Sequence, residues 1–492
     1  MANRLAWAHY TPAASNLRLI GVCLVVVGAV AAAAMGGGLG MLAALISVLL
    51  LFVVCFVAPS AGIWLAFFSI FTNSAQVLTA TWGFSSLTEA LIVMLLTIFL
   101  RDVMSGRGFN RFVLPFGAVL MLCSTYLLAS ASWARFSNLA FEGAFNLAKT
   151  GFVALLLVAL LTDHRRMGAA VAGVVAGLGL LAAITALQYT LGLYDFEFWG
   201  FGIATYHHIS GEIDSWRIDG PMTDPNYYAQ VLLIGLPFAV IGAVRANNRF
   251  AWLIHIIVIM LSIMAVALTY SRGGLVAMTL MGLLFLLRRR GVVFPMVMLV
   301  LVVGLGFLVS TLFHLSYLDR LNAAVGDVIV IVNGEGYIQD EAISGRLSEM
   351  LVAVHLFADH PVFGVGYDQY EALYQNTANI HGLMARGQDR QAHSLMLEML
   401  AERGLIGMLL FALIVLPGTV LCWQIGGFGR SSHSLIARAI NYSLLAYLVT
   451  SIFLHDAFPI YFWMIIAFSY AVPGAAGKMM PNLGERSGLA RA

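Results

Sequence analysis

The sequence predicts an all-α polytopic membrane protein, and three observations carry that prediction. Apolar residues make up 61% of the 492 and charged residues only 10%. Mean hydropathy is +0.90, which leaves too little polar side chain to cover a soluble fold of this length. Apolar runs of about 18–22 residues recur along the chain, each matching the hydrocarbon thickness that a helix crosses. Those runs lack the apolar/polar alternation of barrel strands, so helical spans are expected rather than a barrel. The net charge of +2 gives no reason to expect nucleic acid as a partner.

The runs resolve into about fourteen spans, with about twelve to fourteen as the range. They fall near residues 17–36, 39–58, 61–80, 86–100, 112–132, 141–162, 167–190, 226–244, 251–269, 272–287, 292–313, 404–423, 436–454 and 457–476. The small residues around Ala33–Gly38 resemble the end of a signal peptide, but a second span follows at once, so an uncleaved first helix is expected. Cys23, Cys55, Cys123 and Cys422 all lie inside apolar runs and read as small core hydrophobes, not as a disulfide framework or a metal site.

Arginine sets the orientation. Arg101, Arg107 and Arg111 mark one loop and Arg165 and Arg166 the next on that side; Arg245 and Arg249, then Arg288, Arg289 and Arg290, then Arg430 and Arg438 continue the series. With the N-terminus inside, every one of these loops falls in the cytoplasm, as the positive-inside rule requires. Two long segments then lie outside. The chain divides accordingly into N-terminal helices (1–190), a periplasmic loop (191–225), further spans (226–313), a large periplasmic loop acting as a lid (314–393), C-terminal spans (394–477) and a cytoplasmic tail (478–492). The large loop is acidic, with Asp319, Asp327, Glu335, Asp340 and Glu341. Within it, Ser344 to Asp359 reads as an amphipathic helix capped by Ser344, with Leu347, Met350, Leu351, Val354 and Phe357 as its apolar stripe and Pro361 beyond its end.

Three sequences place chemistry at the outer boundary. Asp224-Pro225-Asn226 is a helix start, with aspartate as cap and proline in the first turn, and Arg217 precedes it. Ser271 caps a second helix that opens with Arg272. His393-Ser394 precedes a third, through a stretch holding Glu398, Glu402 and Arg403. All three helices point their N-termini outward, where free N–H groups and the helix dipole favour anions. Arg217 and Arg272 add forked donors suited to phosphate or pyrophosphate, whereas the two lysines, Lys149 and Lys478, lie elsewhere. Against each stands a plainer reading: snorkelling for Arg272, a salt-bridged loop residue for Arg217, a surface charge for Arg346, and solvated loop histidines for His207, His208 and His381. His455 and Asp456 read as a helix-end pair. Glycine-rich Met35–Gly40 has no phosphate-loop context, and no hydrolase elbow is present.

Nine residues separate His393-Ser394 from Gly404-Leu405-Ile406-Gly407. On a continuous helix, 404 and 407 lie within about 40° of the face carrying 393, giving a glycine track below the histidine for a lipid tail or a close neighbouring helix. This pattern of His, Asn/Ser/Gln, nine residues, Gly, two residues and Gly/Thr/Tyr resembles that of the O-antigen ligase superfamily, which holds O-antigen ligases, O-oligosaccharyltransferases and polysaccharide polymerases. Arg217 with Gly220 and Pro225-Asn226, Ser271-Arg272-Gly273-Gly274, and Gly345-Arg346 through Pro361-Val362-Phe363-Gly364-Val365-Gly366 extend the likeness over about residues 205–425.

The resemblance implies a GT-C-like glycosyltransferase of the bacterial inner membrane that works without nucleotide-sugar, metal or other cofactor. It would transfer glycan from undecaprenyl diphosphate to an acceptor hydroxyl on lipid A–core or a comparable lipid or saccharide, at the periplasmic face and among membrane lipids. Carried over to this chain, His393 becomes the base or orienting group. Arg217 and Arg272 hold the diphosphate, and Arg346, Asn226, Ser394, Gly404 and Gly407 are the further substrate-binding positions. A polymerase of the same superfamily shares donor and chemistry. A transporter or flippase of lipid-linked glycan is the alternative from another class, although its ionisable residues would sit at the bilayer midplane, where only Glu142 and Lys149 come near.

Overall fold

The computed structural model describes residues 52–83, 87–210, 213–287, 341–383, 390–427, 431–455 and 459–477. The expected spans 17–36 and 292–313, most of 39–58, the Arg288–Arg290 run, Arg430, the acidic residues 319–340, Cys23, Asp456 and the 478–492 tail lie outside them.

The expected class holds: the described chain is a helical membrane bundle with a single two-stranded hairpin. Along it run α1 (Pro59–Phe71), α2 (Ser74–Trp82), α3 (Leu87–Met104), α4 (Val113–Ser130), α5 (Ser137–Leu160), α6 (His164–Thr190), β1 (Ala204–Ser210), β2 (Ile213–Ile218), α7 (Pro225–Arg245), α8 (Arg249–Leu268), α9 (Arg272–Leu287), α10 (Glu341–Asp359), α11 (Tyr370–Ile380), α12 (Leu395–Gly426), α13 (Ser432–Thr450) and α14 (Ile460–Gly477). Six described helices are long and apolar enough to cross a membrane, or seven if α1 and α2 form one span. The span expected at 61–80 is that pair, bent by 65° where Asn73 takes a left-handed φ of 53°.

The helices pack through small residues where backbones come close. Gly173 and Gly177 of α6 lie against α1, where a Cβ on Gly173 would stand 3.1 Å from Phe67 Cβ and one on Gly177 3.0 Å from Phe71 Cδ1. Lipid gives no apolar driving force between helices, so close van der Waals contact of this kind holds a bundle together. Cys55, Cys123 and Cys422 are free and buried, as expected of core residues.

The arginine-rich ends gather together. Arg166, buried, pairs with the buried Asp102, Arg107 reaches Asp163 at 3.1 Å, the His164 ring packs tilted against that of His433, and Arg438 donates to the Gly426 and Gly427 carbonyls. A cavity of about 280 Å³ lined by Arg245, Asn248 and His255 lies at this end; none of the candidate site residues lines it. Lys149 pairs with Glu89 at 3.3 Å, so it is not an isolated interior cation, and Glu142 is exposed.

Three local expectations need correction. The 191–225 segment contains an antiparallel hairpin that pairs Thr205 with Arg217 and Tyr206 with Trp216, with a bulge between His208 and Ser210; His207 and His208 therefore lie on a strand, not in a loop. The lid helix begins at Glu341, which puts Ser344 within its first turn rather than at its cap. Its apolar stripe also faces the other way: Leu347, Leu351 and Val354 are exposed, while Ser348, Glu349, Val352, Ala353 and Leu356 are buried. The small and polar face is buried because it packs on α11 and α12 and supplies Glu349 to them.

Candidate active site

Each of the three expected helix starts is present. Asp224 Oδ1 accepts from the backbone N–H of Asn226 at 2.7 Å and of Tyr227 at 3.0 Å, with Pro225 in the first turn of α7. Ser271 Oγ accepts from Gly274 N–H at 3.2 Å, capping α9. Ser394 stands at the N-cap of α12, buried, but its hydroxyl caps no N–H. The residue before each cap, namely Thr223, Tyr270 and His393, has φ of 55°, 53° and 46° respectively. A left-handed conformation at a non-glycine residue costs about 1–3 kcal/mol and is characteristic of functional sites.

Packing explains why glycines accompany these residues. Gly220, at φ 55°, lies beneath the Tyr228 ring, where a Cβ would come within 2.6 Å of Cε2. Tyr228 is in turn held by Thr185 and the Leu181 carbonyl. Gly274 lies against Ala229 of α7, and Gly273 against Phe453 in the loop after α13. The Arg217 Nε donates to the Thr269 carbonyl at 3.0 Å, so the hairpin is latched to the turn that leads into Arg272. Both arginines are half-buried. Asp219, buried beside them, accepts from Thr205 at 2.6 Å; burial pushes its carboxyl up to about 6 against the opposing pull of Thr205 and Arg217.

His393 sits between two elements. Its Nε2 lies 3.5 Å from Oε2 of Glu349 on α10, and its ring meets that of His455 edge to face at 5.8 Å, with Tyr227 of α7 5.4 Å beyond His455. The next residue but one is tied down where Leu395 N–H donates to the Ser451 carbonyl at 3.0 Å. Below it, Gln230 bridges α7 to α13 and α14 through Thr450, Ser451 and Tyr461. Burial, then the Arg346 guanidinium, pushes the imidazole down to about 4, against Asp224 and with Arg390. Burial pushes His455 down to about 3. Both rings are therefore neutral near pH 7. Arg346 is exposed on α10, close enough to act on His393 through its charge.

The glycine track is not continuous. Gly404 has φ 58° and ψ −162° and breaks α12. The turn segment Pro361–Gly366 threads into the break. Leu405 and Ile406 donate to the Pro361 and Val362 carbonyls, and Val365 and Gly366 donate to the Ala401 and Glu402 carbonyls, at 2.9–3.2 Å. Tyr126 donates to both Arg403 O (2.7 Å) and Phe363 O (3.0 Å), pinning the crossing. A Cβ on Gly404 would strike the Val362 carbonyl, and one on Gly407 would strike Arg403. These glycines thus lie under protein backbone and an arginine side chain, and two motifs about forty residues apart prove to be one structural joint.

Sequence reasoning missed Glu349, concealed by the inverted reading of its helix, and undervalued His455. It named Glu402 without a role; its carboxylate accepts from Gln369 and Tyr370 N–H at 2.9 and 3.0 Å and so caps α11. His381 is exposed in the turn after α11, as expected of a solvated loop histidine, and stacks on His355 at 3.7 Å. Among the described residues, no group of three or more metal-ligating side chains gathers.

The fold is that of a multi-pass membrane protein, and among the described residues arginines, capped helix starts and neutral imidazoles stand at or beside the starts of α7, α9 and α12. Residues 256–412 match the family model described as O-antigen ligase, so the resemblance to the O-antigen ligase superfamily holds, and with it a glycosyltransferase-like ligase or polymerase. The matched stretch contains Arg272, Arg346, His393, Ser394, Gly404 and Gly407; Arg217, Asn226 and His455 lie beyond it. No curated protein matches the chain.

Proposed function

We propose that the protein transfers glycan from undecaprenyl diphosphate to an acceptor hydroxyl, as an O-antigen ligase does, at the periplasmic face of the bacterial inner membrane. The reading is supported by a chain of contacts at the starts of α7, α9 and α12: Arg217 latched to the turn before Arg272, Gly273 of α9 against Phe453, and neutral His393 against His455 two residues beyond Phe453. The orientation rests on the arginine-rich loops at the opposite end, which belong in the cytoplasm.

In the reaction, the acceptor oxygen forms a bond to the anomeric carbon while the bond from that carbon to the diphosphate oxygen breaks. The electron pair leaves on the diphosphate and the acceptor proton passes to His393. With Nε2–H turned to Glu349, Nδ1 keeps the lone pair for that proton, and the Glu349 carboxylate stabilises the imidazolium that results. Arg217 and Arg272, aided by the outward helix dipoles, hold the diphosphate and stabilise its growing charge. Arg346 and Asn226 flank this path, with Ser394 directly after the base. The leaving group departs as a stable anion, so this mechanism requires no metal.

The test is analysis of surface glycan in a deletion strain complemented with wild type or His393→Ala. Full-length polymer held on the undecaprenyl carrier in the variant supports ligation; unextended single repeats move the assignment to polymerisation. An unchanged profile overturns both and returns transport of lipid-linked glycan as the reading.

A further inference from the structure

A polar cavity of about 480 Å³ is walled in part by His455, the ring partner of His393. Its wall includes Gln76, Tyr227, Asp368, Glu398, Arg403 and His455. Hydroxyl, amide, carboxyl and aromatic groups together are the chemistry that holds a sugar: many directional partners for hydroxyls and flat faces for its C–H surfaces. Two features mark the cavity as a binding site rather than a packing gap. The buried Nδ1 of His455, on its wall, has no hydrogen-bond partner among the described residues. Buried polar atoms are nearly always satisfied, so one without a partner on a residue that walls a cavity marks a place for a ligand group. The cavity also adjoins the candidate base, because the His455 ring that bounds it meets His393 at 5.8 Å.

Its charge is lopsided. The carboxyl groups of Asp368, Glu398 and Glu402 line it with a single guanidinium, Arg403. That guanidinium lies 3.5 Å from Glu402 and 4.4 Å over the Tyr367 ring, so its charge is directed to groups already present. Asp368 and Glu398 leave the wall net acidic. The arginines suited to a diphosphate, Arg217 and Arg272, are not on it.

Resting on the proposed transfer reaction, we propose that this cavity is the acceptor subsite, and that it accepts an uncharged or amine-bearing sugar while disfavouring one phosphorylated or carboxylated near the attacking hydroxyl. His455 is a positioning residue that accepts from or donates to a sugar hydroxyl and directs its neighbour to His393. The site is thus divided, with a cationic half for the donor's diphosphate and an acidic, hydroxyl-binding half for the acceptor.

The experiment is saturation-transfer NMR on the full chain in nanodiscs, with methyl glucoside, glucosamine and glucose 6-phosphate as probes. Methyl glucoside and glucosamine are expected to bind, with apparent affinity for glucosamine on the order of tenfold above that for glucose 6-phosphate, the ratio that one charge-assisted hydrogen bond gives. Asp368→Asn with Glu398→Gln should level that ratio, since both substitutions keep shape and acceptor oxygens. Gln76→Ala, at an exposed position, should weaken all three probes without touching the core. Equal binding of glucosamine and glucose 6-phosphate by wild type, or an unaltered ratio in the double variant, overturns the subsite. Loss of the enzyme reading is seen separately, as unchanged surface glycan with His393→Ala.

Discussion

The Nε2 of His393 lies 3.5 Å from the Oε2 of Glu349, a buried carboxylate on the lid helix α10. This pairing joins the lid to the start of α12. It also gives the lid helix a reason to bury a polar face. Glu349→Gln removes the charge that stabilises imidazolium while keeping the shape, and the Tyr370 hydroxyl still donates to the backbone carbonyl of residue 349 at 2.5 Å. The variant should fold normally and lose about 10²-fold in kcat, in the range of a general-base contribution, with KM for the lipid-linked donor little changed. Steady-state kinetics beside a thermal melt check this; an unchanged kcat removes Glu349 from the mechanism.

Acid sensitivity should follow His393. Burial and Arg346 push its imidazole down to about 4, so the neutral base is fully present near pH 7 and is lost only as pH falls through about 4. Transfer should therefore be flat around neutrality on this account, with an acid limb near that value. Arg346→Gln removes a cation that disfavours imidazolium, which raises the pKa and moves the limb to higher pH. A pH–rate profile for wild type and variant measures the shift. A limb that stays in place, or moves lower, shows that another group controls it.

The donor half makes a different demand. Arg272→Ala should cost about 10²–10³ in rate, the usual loss of one preorganised donor to developing charge. Arg272→Lys should recover only part of it, because an ammonium cannot offer the planar fork to two phosphate oxygens. Arg217→Lys carries an added penalty, since its Nε also holds the Thr269 carbonyl at 3.0 Å and so ties the hairpin to the turn before α9. Single-turnover transfer from lipid-linked donor separates the two, and full activity in Arg272→Lys would show that a point charge suffices there.

The features legible in the sequence were those that depend on neighbours along the chain. Hydropathy gave the helical class, and the dipeptides at Asp224-Pro225 and Ser271-Arg272 gave helix starts, since a cap is a local hydrogen bond. The hairpin at 204–218 had a readable signal, β-branched and aromatic residues on either side of Ser210-Gly211-Glu212, which the emphasis on helices passed over. The face of α10 was not readable in the same way. Its exposed Leu347, Leu351 and Val354 form the more apolar stripe, yet the contacts that decide burial come from α11 and α12, which bury Glu349 and Val352 instead. His455 gains its place only when the loop after α13 meets α7, a juxtaposition that no residue spacing encodes.

Gly404 shows the same limit and supports the last prediction. The spacing put 404 and 407 on the face of 393 only if the helix ran unbroken, because side-chain spacing continues unchanged through a break made by the backbone. What breaks it is Pro361–Gly366, whose carbonyls and N–H groups replace the helix's own partners between Ala401 and Ile406. Gly404 permits this twice over: its φ of 58° suits glycine, and a Cβ there would collide with the Val362 carbonyl. Gly404→Ala therefore combines a backbone penalty of about 1–3 kcal/mol with displacement of the crossing segment. It should lower the thermal midpoint and also transfer activity, because the crossing fixes α12, which follows His393, against the segment that follows α10, which carries Glu349. Tyr126→Phe removes only the single hydroxyl proton shared between the two carbonyls that meet at the crossing, about 0.5–1.5 kcal/mol, and should give a smaller loss in the same direction. Melting in detergent alongside kcat tests both. If Gly404→Ala melts and turns over as wild type does, the joint is not what positions the histidine.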